Sequence, residues 1–225
     1  MIKNIYNLGD AALYCDFGDT VNKETNLKVI NYFKDIRKKK ITGVKNIAPS
    51  YNKLIIYFDL ELTNYKKIKD TVQNLDISTF EKDKTKVVKI PVCFDDEFAL
   101  DLERIEKIAG LEKKEIINQL INQKYFCYMT GFIAGMPFLG DINEKIRLDR
   151  LETPRVKVPK GSVGITEQFC NIYTFESPGG WNIIGNSPKK VFTKDPSKLT
   201  LIDPGDEVEF FEISKKEYLK FNDQK

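Results

Sequence analysis

The stretch Ser177-Pro178-Gly179-Gly180-Trp181-Asn182-Ile183-Ile184-Gly185 constrains this chain more than any other. Pro178 fixes φ and the two glycines tolerate positive φ, so the backbone can turn sharply there. The single tryptophan follows at once and leads into Ile183-Ile184 before Gly185 ends the run. A tight turn thus delivers a large aromatic side chain onto a strand. Two upstream stretches share this character, Gly131 to Gly140 and Thr153 to Gly164. The plain reading of so many glycines and prolines is the turns of a small β-barrel. Three such clusters between residues 131 and 185 exceed what connecting strands requires. They predict a loop-built site at one end of a barrel.

Upstream, the pattern is mixed. Residues 12–17 read as a strand, Asn22 as a helix cap, and Leu27, Ile30, Phe33 and Ile36 recur at helical spacing until Arg37-Lys38-Lys39-Lys40. A strand from Gly43 to Ile47, a clearer one over Lys53–Phe58 and a helix sketched by Leu62, Tyr65, Ile68 and Val72 follow. The first domain, residues 1–80, is therefore a small α+β layer in the order β-α-β-β-α. The polar, lysine-rich run from Asp76 to Lys86 marks a boundary. The second domain, residues 86–225, opens with a strand at 87–92 and a helical pair over about 99–123. From Tyr125 onward short strands alternate with turns, at 125–129, 163–166, 169–175, 181–184, 189–193, 199–202 and 207–213. The charged tail from Ser214 is expected to fray.

Composition excludes several functions. The chain has no histidine, which removes every Ser–His or Cys–His nucleophile pair and every His-based metal site. Proton transfer must use Asp, Glu, Lys, Tyr or Cys, or come from another chain. Cys15, Cys93, Cys127 and Cys170 are widely spaced in strand-like runs, so buried reduced thiols are expected and no metal site. Lysine and arginine exceed the acids by only 3, and residues 100–124 hold five acids against five bases, so no nucleic-acid partner is expected. No run approaches the ~18 apolar residues of a membrane span, and Met1 to Asp10 carries no apolar leader core. A cytoplasmic protein without a membrane partner is expected.

The residues carry a family resemblance along nearly the whole chain. The matching positions include Leu8-Gly9-Asp10, Pro49-Ser50-Tyr51, Pro91-Val92-Cys93, Gly131-Phe132 with Gly135, Leu139-Gly140, Thr153-Pro154-Arg155, Gly161-Ser162-Val163, Ile172-Tyr173, Ser177 to Trp181, Ile184-Gly185 and Pro204-Gly205-Asp206. With them the chain resembles the Kip-type kinase-inhibitor family, which also holds the B subunit of bacterial ATP-dependent 5-oxoprolinase. Members are also described as allophanate hydrolase subunit 1. The family is related to the carboxyltransferase domain, C/D type, of urea carboxylase. The resemblance implies an α+β fold, with an N-terminal α+β domain followed by a cyclophilin-like β-barrel. The chain departs from the family pattern at Ala134, Met136 and Phe138, at Glu167 to Asn171, and at Phe94 to Glu97.

The activity implied is ATP-dependent opening of 5-oxoproline to glutamate, with separate A and C subunits and C as the direct partner. ATP is expected at the level of the complex, and the isolated chain is not expected to turn over substrate. Two alternatives stand beside it, a Kip-type inhibitor docked on a histidine kinase and an allophanate hydrolase subunit. On the enzyme reading the expected catalytic residues are Arg155, Tyr173 and Ser162. Arg155 follows a proline among turn residues, and a guanidinium matches carboxylate or phosphate with paired hydrogen bonds. Ser162 would act through hydrogen bonding and Tyr173 as a donor. The expected substrate-binding residues are Gly131, Phe132, Gly135, Pro154, Gly161, Gly179, Gly180 and Trp181. Backbone N–H groups around Gly161-Ser162 and Gly179-Gly180 would form anion nests. Trp181 is read either as core or as packing between subunits.

Overall fold

The computed structural model describes residues 1–75, 85–195 and 197–223. The chain divides into two compact units, Met1–Lys84 and Thr85–Lys225. Most of the expected boundary segment, from Asp76 on, lies outside the described residues.

The first unit runs β1 (Asn4–Asn7), β2 (Ala12–Asp16), α1 (Lys23–Lys39), β3 (Val44–Pro49), β4 (Lys53–Phe58) and α2 (Tyr65–Gln73). Its four strands form an antiparallel sheet in the order β1-β2-β4-β3. Strand alternation turns Leu54, Ile56 and Phe58 inward, where they meet Leu13 and Cys15 of β2, Val29 and Ile36 of α1, and Ile68 and Val72 of α2. Each fully buried aliphatic side chain contributes about 1.5–3 kcal/mol. Both helices start at an asparagine: Asn22 Oδ1 accepts from Thr25 N at 2.8 Å, and Asn64 Oδ1 from Lys67 N at 3.0 Å.

The second unit contains β5 (Val87–Val92), α3 (Leu102–Ala109), α4 (Lys113–Ile121), β6 (Lys124–Thr130), β7 (Pro137–Gly140), β8 (Arg155–Val158), β9 (Ser162–Thr166), β10 (Phe169–Ile172), β11 (Ser177–Gly179), β12 (Asn182–Asn186), β13 (Glu207–Glu212) and α5 (Lys215–Asp223). Seven strands form one curled sheet, in the order β12-β9-β10-β7-β6-β13-β5. β13 runs parallel to β5 and antiparallel to β6. The outer strands meet again where Cys93 N donates to Asn186 O at 2.8 Å and Asn186 N to Cys93 O at 3.0 Å. That exchange joins the two edges of the sheet. The main core lies on one face, with Leu102 and Ile105 of α3 and Ile116, Ile117 and Leu120 of α4 packed against Ile90, Cys127, Leu139, Val163, Ile165, Cys170, Ile172, Ile184 and Val208. A separate two-stranded ribbon pairs β8 with β11.

The structure corrects parts of the sequence reading. Residues 189–193 and 199–202 are not strands. They form a loop with a single bridge, Phe192 to Thr200, held by bonds from Leu201 N to Val191 O and from Thr193 N to Leu199 O. The strand expected over 169–175 stops at Ile172. The tail is helical, because its Tyr218 ring lies 4.3 Å from Phe98 and its hydroxyl donates to Asn186 Oδ1 at 2.8 Å. Among the described residues no helix is long and apolar enough to cross a membrane.

Candidate active site

The three Gly/Pro-rich stretches meet, but not around a barrel rim. They meet on the face of β12-β9-β10-β7 turned away from the main core. Alternation dictates this: Val163 and Ile165 point into the core, so Gly164 between them faces the other way. Cross-strand pairing sets Ile183, Gly164, Asn171 and Phe138 in one row. Met136, Val158, Tyr173 and Ile183 form a small apolar cluster, with Ile133 and Phe138 packed on it. The 131–140 hairpin and the β8–β11 ribbon are thereby tied to the same patch. Trp181 closes one side, its ring edge-on to Phe138 at 5.6 Å.

Two glycines make room for Tyr173. A Cβ on Gly164 would stand 2.9 Å from Asn171 Oδ1, 3.1 Å from Trp181 Cβ and 3.3 Å from Tyr173 Cε2. A Cβ on Gly179 would fall 2.2 Å from the Tyr173 hydroxyl oxygen. The Tyr173 hydroxyl therefore lies directly under the Gly179 backbone. Burial raises its pKa, while the Asn171 amide, the Arg150 guanidinium, the backbone at Trp181 and Arg155 pull the other way. The hydroxyl stays protonated at neutral pH, so its proton is available for donation.

Asn171 is fully buried. Its Oδ1 accepts from Gly164 N at 3.2 Å, and its Nδ2 stands near the Tyr173 hydroxyl but makes no hydrogen bond of good geometry among the described residues. The Ser177 hydroxyl, on the ribbon opposite Val158, is also buried and has no partner among the described residues. A buried polar group left unmatched costs about 1–3 kcal/mol, so such groups mark places for a ligand or an ordered water.

Arg155 is spoken for. Its Nη1 donates to Asp101 Oδ2 at 2.9 Å and its Nη2 to Asp101 Oδ1 at 2.6 Å. Asp101 Oδ2 also accepts from Ile183 N at 2.6 Å, and Asp101 N donates to Ile183 O at 2.9 Å. The fork expected to meet a substrate anion instead pins β8 to the start of α3 and to β12. The exposed guanidinium beside the site belongs to Arg150, which has no ion pair among the described residues and lies against Gly180. Leu151 N donates to Gly180 O at 2.7 Å and fixes that loop to the 179–181 turn.

The remaining expected residues divide clearly. Tyr173, Gly179, Gly180, Trp181 and Pro154 converge, Pro154 flanking Gly180 next to Arg150. Ser162 is 1% exposed inside β9 and has no access to a substrate. The expected nest at Gly161-Ser162 is absent, because Gly161 N donates to Tyr173 O and Ser162 N to Pro159 O. Gly131, Phe132 and Gly135 form the hairpin tip. Phe132, at φ +65°, is 70% exposed on that tip, and Gly135 packs against Phe192, so neither lines the patch. Among the described residues no group of His, Cys, Asp or Glu is arranged to hold a metal. Sequence reasoning missed Arg150, Asn171 and Asp101. Asn171 had a signal, as the one amide within the apolar run Phe169-Cys170-Asn171-Ile172. Arg150 had none, since no turn punctuation sets it apart.

A curled sheet with a ribbon folded over its outer face is the architecture of a carboxyltransferase-type domain. The family model for the carboxyltransferase domain, subdomain C and D, matches residues 3–202, and the chain belongs to that family. The B subunit of the 5-oxoprolinase of Bacillus subtilis (strain 168) is 32% identical, over 98% of this chain and 97% of the relative. The crystal structure of TTHA0988 superposes with a TM-score of 0.82 at 27% identity, over 91% of this chain and 40% of that one. The crystal structure of the Kluyveromyces lactis urea carboxylase shares the fold, with a TM-score of 0.76 at 19% identity, over 96% of this chain and 22% of that one.

Proposed function

We propose that this chain is the B-type subunit of an ATP-dependent 5-oxoprolinase, which opens 5-oxoproline to glutamate together with partner subunits. The similarity to the Bacillus subtilis B subunit, end to end on both chains, carries this reading. The patch has the donors the substrate needs. 5-Oxoproline is a small ring with one carboxylate and one amide carbonyl. The Arg150 guanidinium matches the carboxylate, and the Tyr173 hydroxyl and the Asn171 amide, both buried beneath the Gly179–Trp181 turn, become donors for the carbonyl oxygen when that turn lifts to admit substrate. ATP would phosphorylate that oxygen and leave as ADP, a first water would add to the carbon and the C–N bond would break to give an acyl phosphate and the free amine, and a second water would release phosphate and leave glutamate. Negative charge grows on that oxygen when it departs with the phosphate, so donors fixed there lower the barrier of that step.

This chain has no histidine to serve as a base for the water. A partner supplies it. The C subunit is the proposed direct partner, and the complex is completed by the A subunit. Phe132 and Val156, 70% and 81% exposed on elements tied to the same apolar patch, give that partner an apolar rim to cover. The reading carries with it a cytoplasmic location, where ATP is supplied.

The test is ATP-dependent glutamate release by the co-purified subunits, with this chain native, omitted, or carrying Arg150→Ala. Release that needs the chain and fails with Arg150→Ala supports the reading. Undiminished release without the chain overturns it.

A further inference from the structure

A second concavity lies at the α5 side of the same unit. It is a groove of about 360 Å³, lined by Lys160, Lys189 and Lys190 together with Tyr173, Tyr218 and Phe221. Among the described residues no carboxylate lines it. The three lysines are exposed and have no ion pair among the described residues. The groove is also a built feature. Ser187 Oγ accepts from Lys189 N at 3.2 Å and fixes the turn that carries Lys189 and Lys190. Asn186 Nδ2 donates to Lys160 O at 3.0 Å, and Asn186 Oδ1 accepts the Tyr218 hydroxyl, so one buried amide holds the Lys160 segment and α5 together. Lys160 Nζ lies 6.0 Å from the centre of the Phe175 ring, which keeps the ammonium in place.

Three uncompensated ammonium groups select a ligand with several negative charges, and lysine is a common phosphate binder. Three aromatic residues share the lining with the lysines, and Phe221 is 42% exposed. A half-exposed ring beside a polyanion site suits a flat heterocycle, which gains by stacking on it. The volume falls within the range of small-molecule sites. We infer that this groove binds a nucleoside triphosphate, its phosphates on Lys160, Lys189 and Lys190 and its base against Phe221. The inference stands on the groove's own geometry. It goes beyond the oxoprolinase reading by giving this subunit its own nucleotide contact.

Isothermal titration of the full chain at low salt, with ATP, inorganic triphosphate and adenosine as separate probes, tests it without any turnover. ATP should bind one to one and triphosphate more weakly. Lys189→Ala/Lys190→Ala should weaken ATP roughly tenfold for each charge removed. The charge-matched surface pair Lys66→Ala/Lys67→Ala should change nothing. Phe221→Ala should weaken ATP and leave triphosphate unaffected. No ATP binding, or ATP binding indifferent to Lys189→Ala/Lys190→Ala, overturns the site. Equal affinity for ATP and triphosphate overturns the nucleotide and leaves an anion site only. Because glutamate release is not the readout, a negative result here leaves the oxoprolinase assay to be judged separately.

Discussion

Asp101, at the start of α3, holds both η nitrogens of Arg155 on β8, at 2.6 and 2.9 Å, while the same carboxylate takes the N–H of Ile183 on β12. One nearly buried carboxylate thus sets the position of the ribbon that covers the candidate site. Removing the guanidinium leaves that carboxylate short of its counter-charge. Arg155→Ala should lower stability by about 1–3 kcal/mol, less than a fully buried pair because Arg155 is partly exposed. The midpoint of urea unfolding measures this. A loss of glutamate release in the same variant would then reflect a displaced ribbon, and Arg155→Lys should recover only part of it, since lysine cannot fork.

Arg150 offers the opposite pattern. It is exposed and unpaired among the described residues, so Arg150→Ala should leave the unfolding midpoint unchanged. If it binds the substrate carboxylate, kcat/KM for 5-oxoproline should fall by about 10- to 100-fold, the value of one charge-assisted hydrogen bond. Steady-state kinetics of the assembled complex beside a thermal melt separates the two effects.

The contact of Gly179 with Tyr173 predicts a rescue. Gly179→Ala places a methyl group on the tyrosine hydroxyl and should cost about 1–3 kcal/mol through overpacking. Tyr173→Phe removes the struck oxygen and should return part of that loss in the double variant. A double-mutant cycle reads the coupling directly. Strict additivity would mean that the two groups do not touch.

All four thiols are free and buried. Burial pushes the Cys15 thiol up to about 12 and raises Cys93, Cys127 and Cys170 as well. In the native protein at pH 8 a thiol-specific reagent should label them slowly, and all four should react once urea unfolds the chain. The pH dependence has a definite sign. Each folded thiol binds its proton more tightly than the unfolded one, so its contribution is complete below the ordinary thiol pKa of about 8.5 and is lost as pH climbs beyond it. Melting temperature should therefore fall above about pH 8.5. Cys15→Ala should flatten that fall even though the protein begins less stable.

Legibility in the sequence followed the strength of local signals. β4 and β5 alternate or carry long β-branched runs and were readable to the residue, and the Asn22 cap of α1 was visible from chemistry alone, whereas the Asn64 cap of α2 was not seen. β8 and β11 were not seen as strands, since Arg155–Val158 and Ser177–Gly179 hold proline, glycine and charge where pattern needs apolar residues. They are strands because they pair with each other. The site was half legible for the same reason. Glycines and the tryptophan announced where the backbone turns, and they do converge with Tyr173. Which arginine is engaged internally and which faces outward depends on Asp101, 54 residues from Arg155, a distance no local pattern spans.

β13 lies between β5 and β6 in the sheet, although both precede it in the chain by a wide margin. The pairing of Val87 with Glu207 must therefore wait until about 120 more residues have been synthesised. Until then β5 and β6 each present a bare edge, and the apolar faces of α3 and α4 lack part of their cover. Such long-range closure is slow and exposes the nascent chain to misassociation. For this molecule the hazardous interval is its own birth on the ribosome, and a stop codon between Val92 and Glu207 should yield an insoluble product and not a smaller working one.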